Sequence, residues 1–270
     1  MSSPPMPDPL RRNNVAVTGN ADGRTMMFAH GFGCSQVVWD QVAPHFERDY
    51  KVVLFDHVGA GGSDATAYDP GKYDSLDGYA DDVLDILRAL DARDVIFVGH
   101  SVGAMIGVIA ANREPSRFSD LILIGPSPCY INDDGYHGGF ERADITALLD
   151  TLDANYLGWS RSTAPMIMGN SDRPQLGARL TESFCSMDPE IARHFAHVTF
   201  LSDNRSDLRH VSVPTLVMQS SSDAIAPVEV GQYVHSAIPA SRLAMLRTTG
   251  HVPILAGPDE VVATMRAYLA

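Results

Sequence analysis

Short apolar runs recur along the chain and alternate with longer segments of helical periodicity. Each run is continuously apolar rather than alternating, and the runs are Thr25–Ala29, Lys51–Phe55, Val95–Val98, Leu121–Ile124, Thr215–Met218 and, more weakly, Leu243–Leu246. Strands that are apolar on both faces are typical of a parallel sheet covered by helices on each side. The pattern therefore predicts a mostly parallel sheet built from these strands.

Helical patterns lie between the predicted strands. Tyr79–Leu90 places its apolar residues on one side and its charged residues on the other, whereas Gly103–Asn112 is apolar nearly all round and is predicted to be buried. Val228–Ala237 and Asp259–Leu269 are amphipathic. This alternation of strands and helices indicates an α/β architecture.

One long region interrupts the alternation. Residues 132–207 contain no convincing strand, although Asp144–Leu157, Arg173–Cys185 and Pro189–Val198 have helical patterns. A loop of this length is uncommon in a compact domain, so a helical insertion, or lid, over one end of the sheet is favoured. The predicted organisation is a core of residues 15–131 and 208–270, the lid at 132–207, and a proline-rich flexible tail at 1–14.

The segment Gly99-His100-Ser101-Val102-Gly103 carries the first chemical signal. It follows the strand at Val95–Val98 and opens an apolar helix, which is the setting of a G-x-S-x-G nucleophile elbow. The turn is sharp, and flanking glycines leave room where a Cβ would clash. Ser101 is therefore predicted to be a nucleophile.

A serine hydroxyl needs a base, and that base needs an orienting acid. Proteins with this elbow carry them in the order serine, acid, histidine. Asp223 follows the strand at Thr215–Met218 and His251 follows the next strand, so both are expected at the same sheet edge as Ser101. Asp207 is a poorer acid because it precedes its strand.

Other histidines have structural interpretations. His30 lies in a His-Gly turn and His100 lies inside the elbow, predicted to point away from the nucleophile. His194 and His197 fit a polar helix face, since no carboxylate pattern marks a metal site there. No metal or organic cofactor is predicted.

Ester hydrolysis develops negative charge on the carbonyl oxygen, which backbone N–H groups must stabilise. The amide of Val102 is one candidate, because it follows the nucleophile at a helix N-terminus. The amide of Phe32 is the other, within the His30–Gly33 turn that follows the first buried strand. The glycine-rich run at residues 56–63 does not match a nucleotide-binding motif and is interpreted as a structural turn.

Composition narrows the function classes. The formal net charge is −13, which disfavours binding to nucleic acid or to an anionic membrane surface. The three cysteines, Cys34, Cys129 and Cys185, are far apart and odd in number, so reduced thiols in a cytoplasmic protein are expected. Cys34 lies close to the predicted site, as a packing residue or, less favoured, a reactive thiol. No apolar segment is long enough to cross a membrane or resembles a secretory signal.

Several motifs together resemble a known family. HGFG at 30–33, GHSVGAMIG at 99–107, LILIGPSP at 121–128, YHGGFE at 136–141 and GHVP at 250–253 are similar to the RsbQ-type bacterial α/β-hydrolases and to the plant karrikin and strigolactone receptors. The likeness runs from about residue 15 to the C-terminus.

The resemblance implies a V-shaped lid of four helices over an apolar pocket, the triad Ser101, Asp223 and His251, and oxyanion amides at Phe32 and Val102. Matching pocket positions are Phe32, Tyr130, Phe140, Trp159 and Phe200, with Thr163 where the plant receptors usually have an aromatic residue. Related hydrolases of this size are commonly monomers, so a monomer is expected.

Three functions remain open at the level of sequence. The first is hydrolysis of a small apolar ester or lactone, such as a butenolide, through an acyl-enzyme on Ser101. The second is a slow-turnover ligand sensor that signals to a partner protein. Carbon–carbon bond hydrolysis and cofactor-free perhydrolysis also use an elbow serine, whereas dehalogenases and epoxide hydrolases need an aspartate at this position.

Overall fold

The computed structural model describes residues 8–270, in which a seven-stranded sheet has the order β1-β3-β2-β4-β5-β6-β7. The strands are β1 Ala16–Gly19, β2 Thr25–Ala29, β3 Lys51–Leu54, β4 Val95–His100, β5 Phe118–Ile124, β6 Thr215–Ser222 and β7 Ser241–Thr249. All neighbouring pairs are parallel except β1 and β3. The predicted mostly parallel sheet is confirmed.

Helices cover both faces of the sheet and fill the long connection between β5 and β6. They are α1 Pro9–Arg12, α2 Leu76–Ala89, α3 Val102–Arg113, α4 Arg142–Ala154, α5 Tyr156–Met168, α6 Pro174–Cys185, α7 Pro189–Phe200, α8 Arg205–Leu208, α9 Val228–Ala237, α10 Pro253–Ala256 and α11 Pro258–Leu269. Short 3₁₀ turns lie at Gln36–Trp39, Ala43–His45, Ala65–Ala67 and Pro115–Arg117.

The centre of the core lies where α3 packs on the middle of the sheet. Every residue of β2 and β4 is buried, as is α3 from Val102 to Ala111. This agrees with the continuous apolar runs from which these elements were predicted.

Edge strand β1 was not predicted. Three of its four residues are exposed, and it pairs only with β3, in the antiparallel sense. A short edge strand with solvent on most sides needs no apolar run, so the pattern that revealed the inner strands is missing here.

The carboxyl ends of the inner strands meet at one edge of the sheet. In the register, Ala29 pairs with Gly99, His100 with Ile124, and Ile124 with Met218. The loops that follow β2, β4, β5 and β6 therefore leave the sheet side by side. This edge is where ligand-binding groups gather in open α/β sheets.

The insertion between β5 and β6 contains α4, α5, α6 and α7. The single helix expected at Asp144–Leu157 is two helices, because the chain turns at Asn155. The side chain of Asn155 accepts a hydrogen bond from the amide of Gly158 at 2.9 Å and so caps the start of α5. The sequence pattern did not predict α5, which contains an internal proline, Pro165.

Part of the predicted flexible tail is ordered. Residues 1–7 lie outside the described residues, but α1 follows them, and the guanidinium of Arg12 is buried against Asp82 of α2 at 2.8 Å. The side chain of Asn13 donates to the carbonyl of Asp56 at 3.0 Å. The prediction is therefore corrected for residues 8–14, since a buried ion pair and hydrogen bonds hold them.

Within the described part of the chain, every helix is too short or too polar to cross a bilayer.

Candidate active site

The elbow has the strained backbone that its sequence predicts. Ser101 has φ 54° and ψ −124°, a conformation that side chains other than glycine rarely adopt. A Cβ on Gly99 would lie 2.6 Å from the backbone of Ala104, and one on Gly103 would lie 2.6 Å from the carbonyl oxygen of His30. The two glycines therefore allow the strand, the helix and the His30 loop to approach closely enough to present the serine.

Three side chains from three strand ends form a continuous hydrogen-bond chain. His251 Nε2 lies 2.8 Å from Ser101 Oγ, and His251 Nδ1 lies 2.8 Å from Asp223 Oδ2. All three residues are buried. The structure thus brings together the nucleophile, base and acid that the sequence predicts, in a geometry that suits proton transfer from serine.

The second oxygen of Asp223 is held by the backbone. Its Oδ1 accepts from the amides of Ile225 at 2.8 Å and Ala226 at 3.0 Å. Burial acts to raise the pKa of this carboxyl, but the neighbouring imidazole of His251 and the two amides outweigh it, so the pKa is lowered. Asp223 is therefore a carboxylate at neutral pH and can orient the proton on His251 Nδ1.

The backbone of His251 is held on both sides. Its amide donates to the carbonyl of Ile167 in α5 at 3.0 Å, and its carbonyl accepts from His100 Nε2 at 2.8 Å. Burial lowers the pKa of His100 to about 3, so this ring is neutral and its single proton is on Nε2. His100 therefore does not bond to Ser101 but supports the loop that carries His251.

Two backbone amides beside Ser101 are available to a ligand. Among residues 8–270, the amides of Phe32 and Val102 have no hydrogen-bond acceptor. Val102 is the first residue of α3, where helix N–H groups have no acceptor within the helix. The His30–Gly33 loop packs against the elbow, and a Cβ on Gly31 would lie 3.1 Å from that of Ser101. Both amides are candidate donors to an oxyanion.

A small apolar cavity of about 30 Å³ adjoins the serine. Its lining consists of Phe32, Cys34, His100, Ser101, Tyr130, Ile167, Leu180, Phe184, Thr199, Phe200, Ile225, His251 and Val252. The space corresponds to about one or two water molecules. The cavity is therefore nearly closed by the side chains around it.

Three of the predicted pocket residues line the cavity and three do not. Phe32, Tyr130 and Phe200 face it. Phe140, Trp159 and Thr163 lie outside this lining, and their place in a substrate pocket stays a prediction.

Each of these three positions has a different local setting. Trp159 lies behind the wall, stacked on Phe184 with ring centres 5.9 Å apart. Phe140 is half-buried, and its backbone amide bonds to the carbonyl of Tyr130 at 3.1 Å. Thr163 is partly exposed on α5.

The sequence analysis did not predict the part of the cavity wall that α6 contributes. Leu180 and Phe184 are four residues apart on this helix, and both are buried against the cavity. Their i, i+4 spacing marks the inner face of α6, so this periodicity was the signal that could have identified them. Cys34 also lines the cavity, and burial raises the pKa of its thiol to about 12. Its thiol is protonated at neutral pH, which favours the packing interpretation.

The other histidines considered from the sequence have partners of their own. His194 Nδ1 lies 2.6 Å from the hydroxyl of Tyr68, and His197 Nε2 lies 2.9 Å from Asp153. Within the described residues, no group of three or more histidine, cysteine or acidic side chains is arranged to hold a metal ion.

Comparison with known proteins identifies the family. A model of the alpha/beta hydrolase fold matches residues 24–258, and the chain therefore belongs to the α/β-hydrolase family. The resemblance to karrikin and strigolactone receptors is also confirmed. The karrikin insensitive 2 receptor CA of Petunia hybrida is 38% identical over 95% of each chain, and the strigolactone esterase D14 of Arabidopsis thaliana is 39% identical over 96% of this chain and 97% of its own.

A solved structure extends this likeness to three dimensions. A hydrolase from Oleispira antarctica is 41% identical and superimposes with a TM-score of 0.94 over 97% of this chain and 96% of its own.

Proposed function

We propose that the protein is a serine hydrolase that cleaves small apolar esters or lactones through an acyl-enzyme on Ser101. The observation that carries this proposal is the chain of 2.8 Å hydrogen bonds from Ser101 through His251 to Asp223, beside an apolar cavity. The names of two relatives, an esterase and a ligand receptor, support it.

In the first half of the reaction, Ser101 Oγ attacks the substrate carbonyl carbon while its proton passes to His251 Nε2. The carbonyl oxygen becomes negatively charged and accepts from the amides of Phe32 and Val102. Asp223 stabilises the imidazolium that forms. The carbon–oxygen bond to the leaving group then breaks, and His251 returns its proton to the departing alkoxide.

In the second half, water attacks the acyl carbon and gives a proton to His251. The acyl–serine bond breaks, and His251 returns the proton to Ser101 Oγ. A lactone follows the same steps, except that the leaving hydroxyl stays attached to the acyl group. No external oxidant or reductant is needed.

The small size of the cavity supports a helical insertion that can move. Pockets for small ligands typically have volumes of about 300–1,000 Å³, whereas this cavity has about 30 Å³. Leu180 and Phe184 of α6 and Phe200 of α7 form part of its wall. We therefore propose that residues 132–207 act as a lid over the core of residues 15–131 and 208–270. Displacement of α6 and α7 would admit the substrate.

The experiment that tests this function compares wild-type protein with the Ser101→Ala and Ser221→Ala variants on a short aryl ester and a synthetic butenolide. Ser221 is an exposed serine near Asp223 and serves as the control. We expect turnover by the wild-type and Ser221→Ala proteins and a loss of about four orders of magnitude or more for Ser101→Ala. Wild-type rates in the Ser101→Ala variant would rule out the proposed mechanism.

A second candidate function is a ligand sensor that signals to a partner protein. The observation that favours it is the direct contact between α5 and the base of the triad. The His251 amide bonds to the carbonyl of Ile167, and Asn170 Nδ2 bonds to the carbonyls of Met168 at 2.8 Å and Thr249 at 2.9 Å. A covalent group at the triad would displace the insertion through these contacts, and a rearranged insertion could bind a partner.

Intact mass and limited proteolysis of the wild-type protein with the butenolide separate the two functions. A lasting adduct together with changed protease sensitivity within residues 132–207 supports the sensor. Rapid turnover with neither effect supports a metabolic esterase.

Cys34, Cys129 and Cys185 are free thiols, which supports our further proposal of a cytoplasmic location. We also propose a monomeric state.

A further inference from the structure

Two buried histidines lie directly beneath the loop that carries the Phe32 amide. His30 directly follows β2, and His57 lies shortly after β3. Both side chains are almost completely buried, and their rings meet edge to face with centres 4.4 Å apart. The reaction described above uses neither ring, so their hydrogen bonds need a separate explanation.

The hydrogen bonds assign a proton to one nitrogen of each ring. The amide of His57 donates to His30 Nε2 at 3.1 Å, so His30 carries its proton on Nδ1 and donates it to the carbonyl of Gly31 at 2.9 Å. His57 Nε2 lies 3.0 Å from the carbonyl of His30, which requires the proton of His57 to be on Nε2. The two residues therefore bond to each other in both directions.

These bonds fix the two peptide units that precede the Phe32 nitrogen. His57 holds the carbonyl of the first unit, between His30 and Gly31. The carbonyl of the second unit, between Gly31 and Phe32, accepts from His30 Nδ1 and also from the amide of Cys34 at 3.3 Å. In a planar trans peptide the N–H points opposite to the C=O. Fixing the Gly31 carbonyl therefore sets the direction in which the amide of Phe32 points.

The surroundings of the His30 and His57 rings disfavour the protonated, charged form of each ring. Burial lowers the pKa of His30, although the Asp56 carboxylate acts in the opposite direction, and burial lowers that of His57 well below its ordinary value. Asp56 lies 3.9 Å from His30 Nε2, but its oxygens already accept from groups that include the amides of Gln36 and Gly62. Both rings are therefore neutral near pH 7, as the assigned protons require.

The buried ring of His57 has one paired and one unpaired nitrogen. Its Nδ1 is buried and has no hydrogen-bond partner among the described residues, which is unfavourable for folding. Its ring lies among the aromatic side chains of Phe55, Tyr79 and Phe195. A phenylalanine would fill this space without the unpaired nitrogen but would leave the His30 carbonyl without its donor. The feature that distinguishes His57 from phenylalanine is therefore its Nε2–H.

We propose that His57 is a positioning residue for the oxyanion hole, because its Nε2–H fixes the His30 carbonyl and thereby the peptide unit directly before the one that presents the Phe32 amide. This inference rests on the proposed hydrolase function. It concerns the rate of the chemical step and not substrate binding, since His57 does not line the cavity.

The test compares His57→Phe with His57→Gln. Phenylalanine keeps the ring but removes the donor, whereas the glutamine amide nitrogen is the same number of bonds from Cα as the lost Nε2. We expect His57→Phe to lower kcat about ten- to a hundredfold with little change in KM, less than the loss of a whole oxyanion donor, and His57→Gln to restore most of the rate. Thermal melting of both variants should show that the fold is retained.

A transition-state analogue separates positioning from general loss of structure. A trifluoromethyl ketone forms a tetrahedral oxyanion on the serine, so its affinity should fall in His57→Phe by the same factor as kcat/KM. The affinity for the alcohol product should not change. Equal losses in the phenylalanine and glutamine variants, or wild-type kcat in His57→Phe, would overturn the role of the donor.

A measurement on the wild-type protein covers the case in which a variant does not fold. Nitrogen-15 NMR of the histidine rings should show His57 protonated on Nε2 and His30 protonated on Nδ1 near pH 7. The reverse assignment would overturn the inference whether or not the protein hydrolyses esters. Failure of the hydrolase function would instead appear as equal rates for the wild-type and Ser101→Ala proteins.

Discussion

The sheet edge and the helical insertion meet at one cavity but are stabilised in different ways. At the sheet edge, main-chain geometry dominates, with a positive φ at Ser101, no room for a Cβ at Gly99 or Gly103, and backbone amides that hold Asp223. In the insertion, side-chain packing dominates. Phe184 stacks on Trp159 and meets Phe32 edge to face at 5.6 Å.

Because of this difference, we expect the sheet edge to determine the reaction rate and the insertion to determine substrate choice. A catalytic geometry built from backbone tolerates few substitutions, because most of them cause a clash or leave a polar group unpaired. A pocket wall built from apolar side chains can change its shape when one residue changes, at a cost in packing but without loss of the reacting groups. Substitutions in the two regions should therefore have separable effects on rate and on substrate choice.

The largest expected effect lies at the sheet edge, in the Asp223→Asn variant. Its carbonyl oxygen would keep the bonds from the Ile225 and Ala226 amides, so its NH₂ group would face His251 Nδ1. That ring would then carry its proton on Nε2, towards Ser101, and could not act as a base. We expect kcat to fall about 10⁴-fold with little change in stability, measured on the aryl ester.

Asp207→Asn is the matched control, since Asp207 was the alternative acid considered from the sequence. Its side chain accepts from Asn204 Nδ2 at 3.0 Å and has no contact with the triad. Near-wild-type activity is expected. Should the Asp207 variant lose activity while the Asp223 variant keeps it, the assignment of the acid would be reversed.

The sheet edge was largely predictable from the sequence because its signals are local. The G-x-S-x-G spacing, the apolar strand before it and the order Ser101, Asp223, His251 depend on a few neighbouring residues each. The topology of a parallel sheet then brings the strand ends together without further information. The support that His57 and His100 give to neighbouring loops was not predictable, because it depends on ring orientation and on distant carbonyls.

The insertion was less predictable because its contacts are between helices that the sequence does not orient. The sequence pattern predicted the helical character of the insertion, but it predicted neither the break at Asn155 nor the inward face of α6. The three pocket positions outside the cavity were assigned by resemblance alone. Small changes in how helices pack decide whether a side chain such as Trp159 lines a cavity or lies behind its wall.

An intermediate effect is expected in the insertion, in the Leu180→Ala variant. Leu180 lines the cavity and is fully buried, so its truncation should lower the free energy of unfolding by about 2–5 kcal/mol and enlarge the cavity. We expect the preferred ester to shift to a longer acyl chain, with relative kcat/KM changing about tenfold for each added methylene that fits. A series of aryl esters of increasing acyl length measures this shift.

Leu149→Ala controls for the loss of stability. Leu149 is a buried leucine of α4 that does not line the cavity. Its truncation should destabilise the protein by a similar amount and leave the order of preferred esters unchanged. If both variants changed the preference equally, a general loosening of the insertion would explain it and the separation of the two regions would fail.

The smallest expected effect concerns acid sensitivity at the sheet edge. Burial holds the pKa of His100 at about 3 in the folded protein, against 6.5 for an ordinary histidine. Between these values the unfolded chain binds the proton and the folded protein does not, so stability falls as pH decreases, by at most about 1.4 kcal/mol per pH unit.

His100→Gln keeps a donor for the His251 carbonyl but cannot titrate. The difference in unfolding free energy between wild-type and variant should therefore be constant above about pH 7.5 and shift in favour of the variant below pH 6.5. Chemical denaturation across this range measures it, and parallel curves for the two proteins would mean that His100 is not the buried neutral support of the His251 loop.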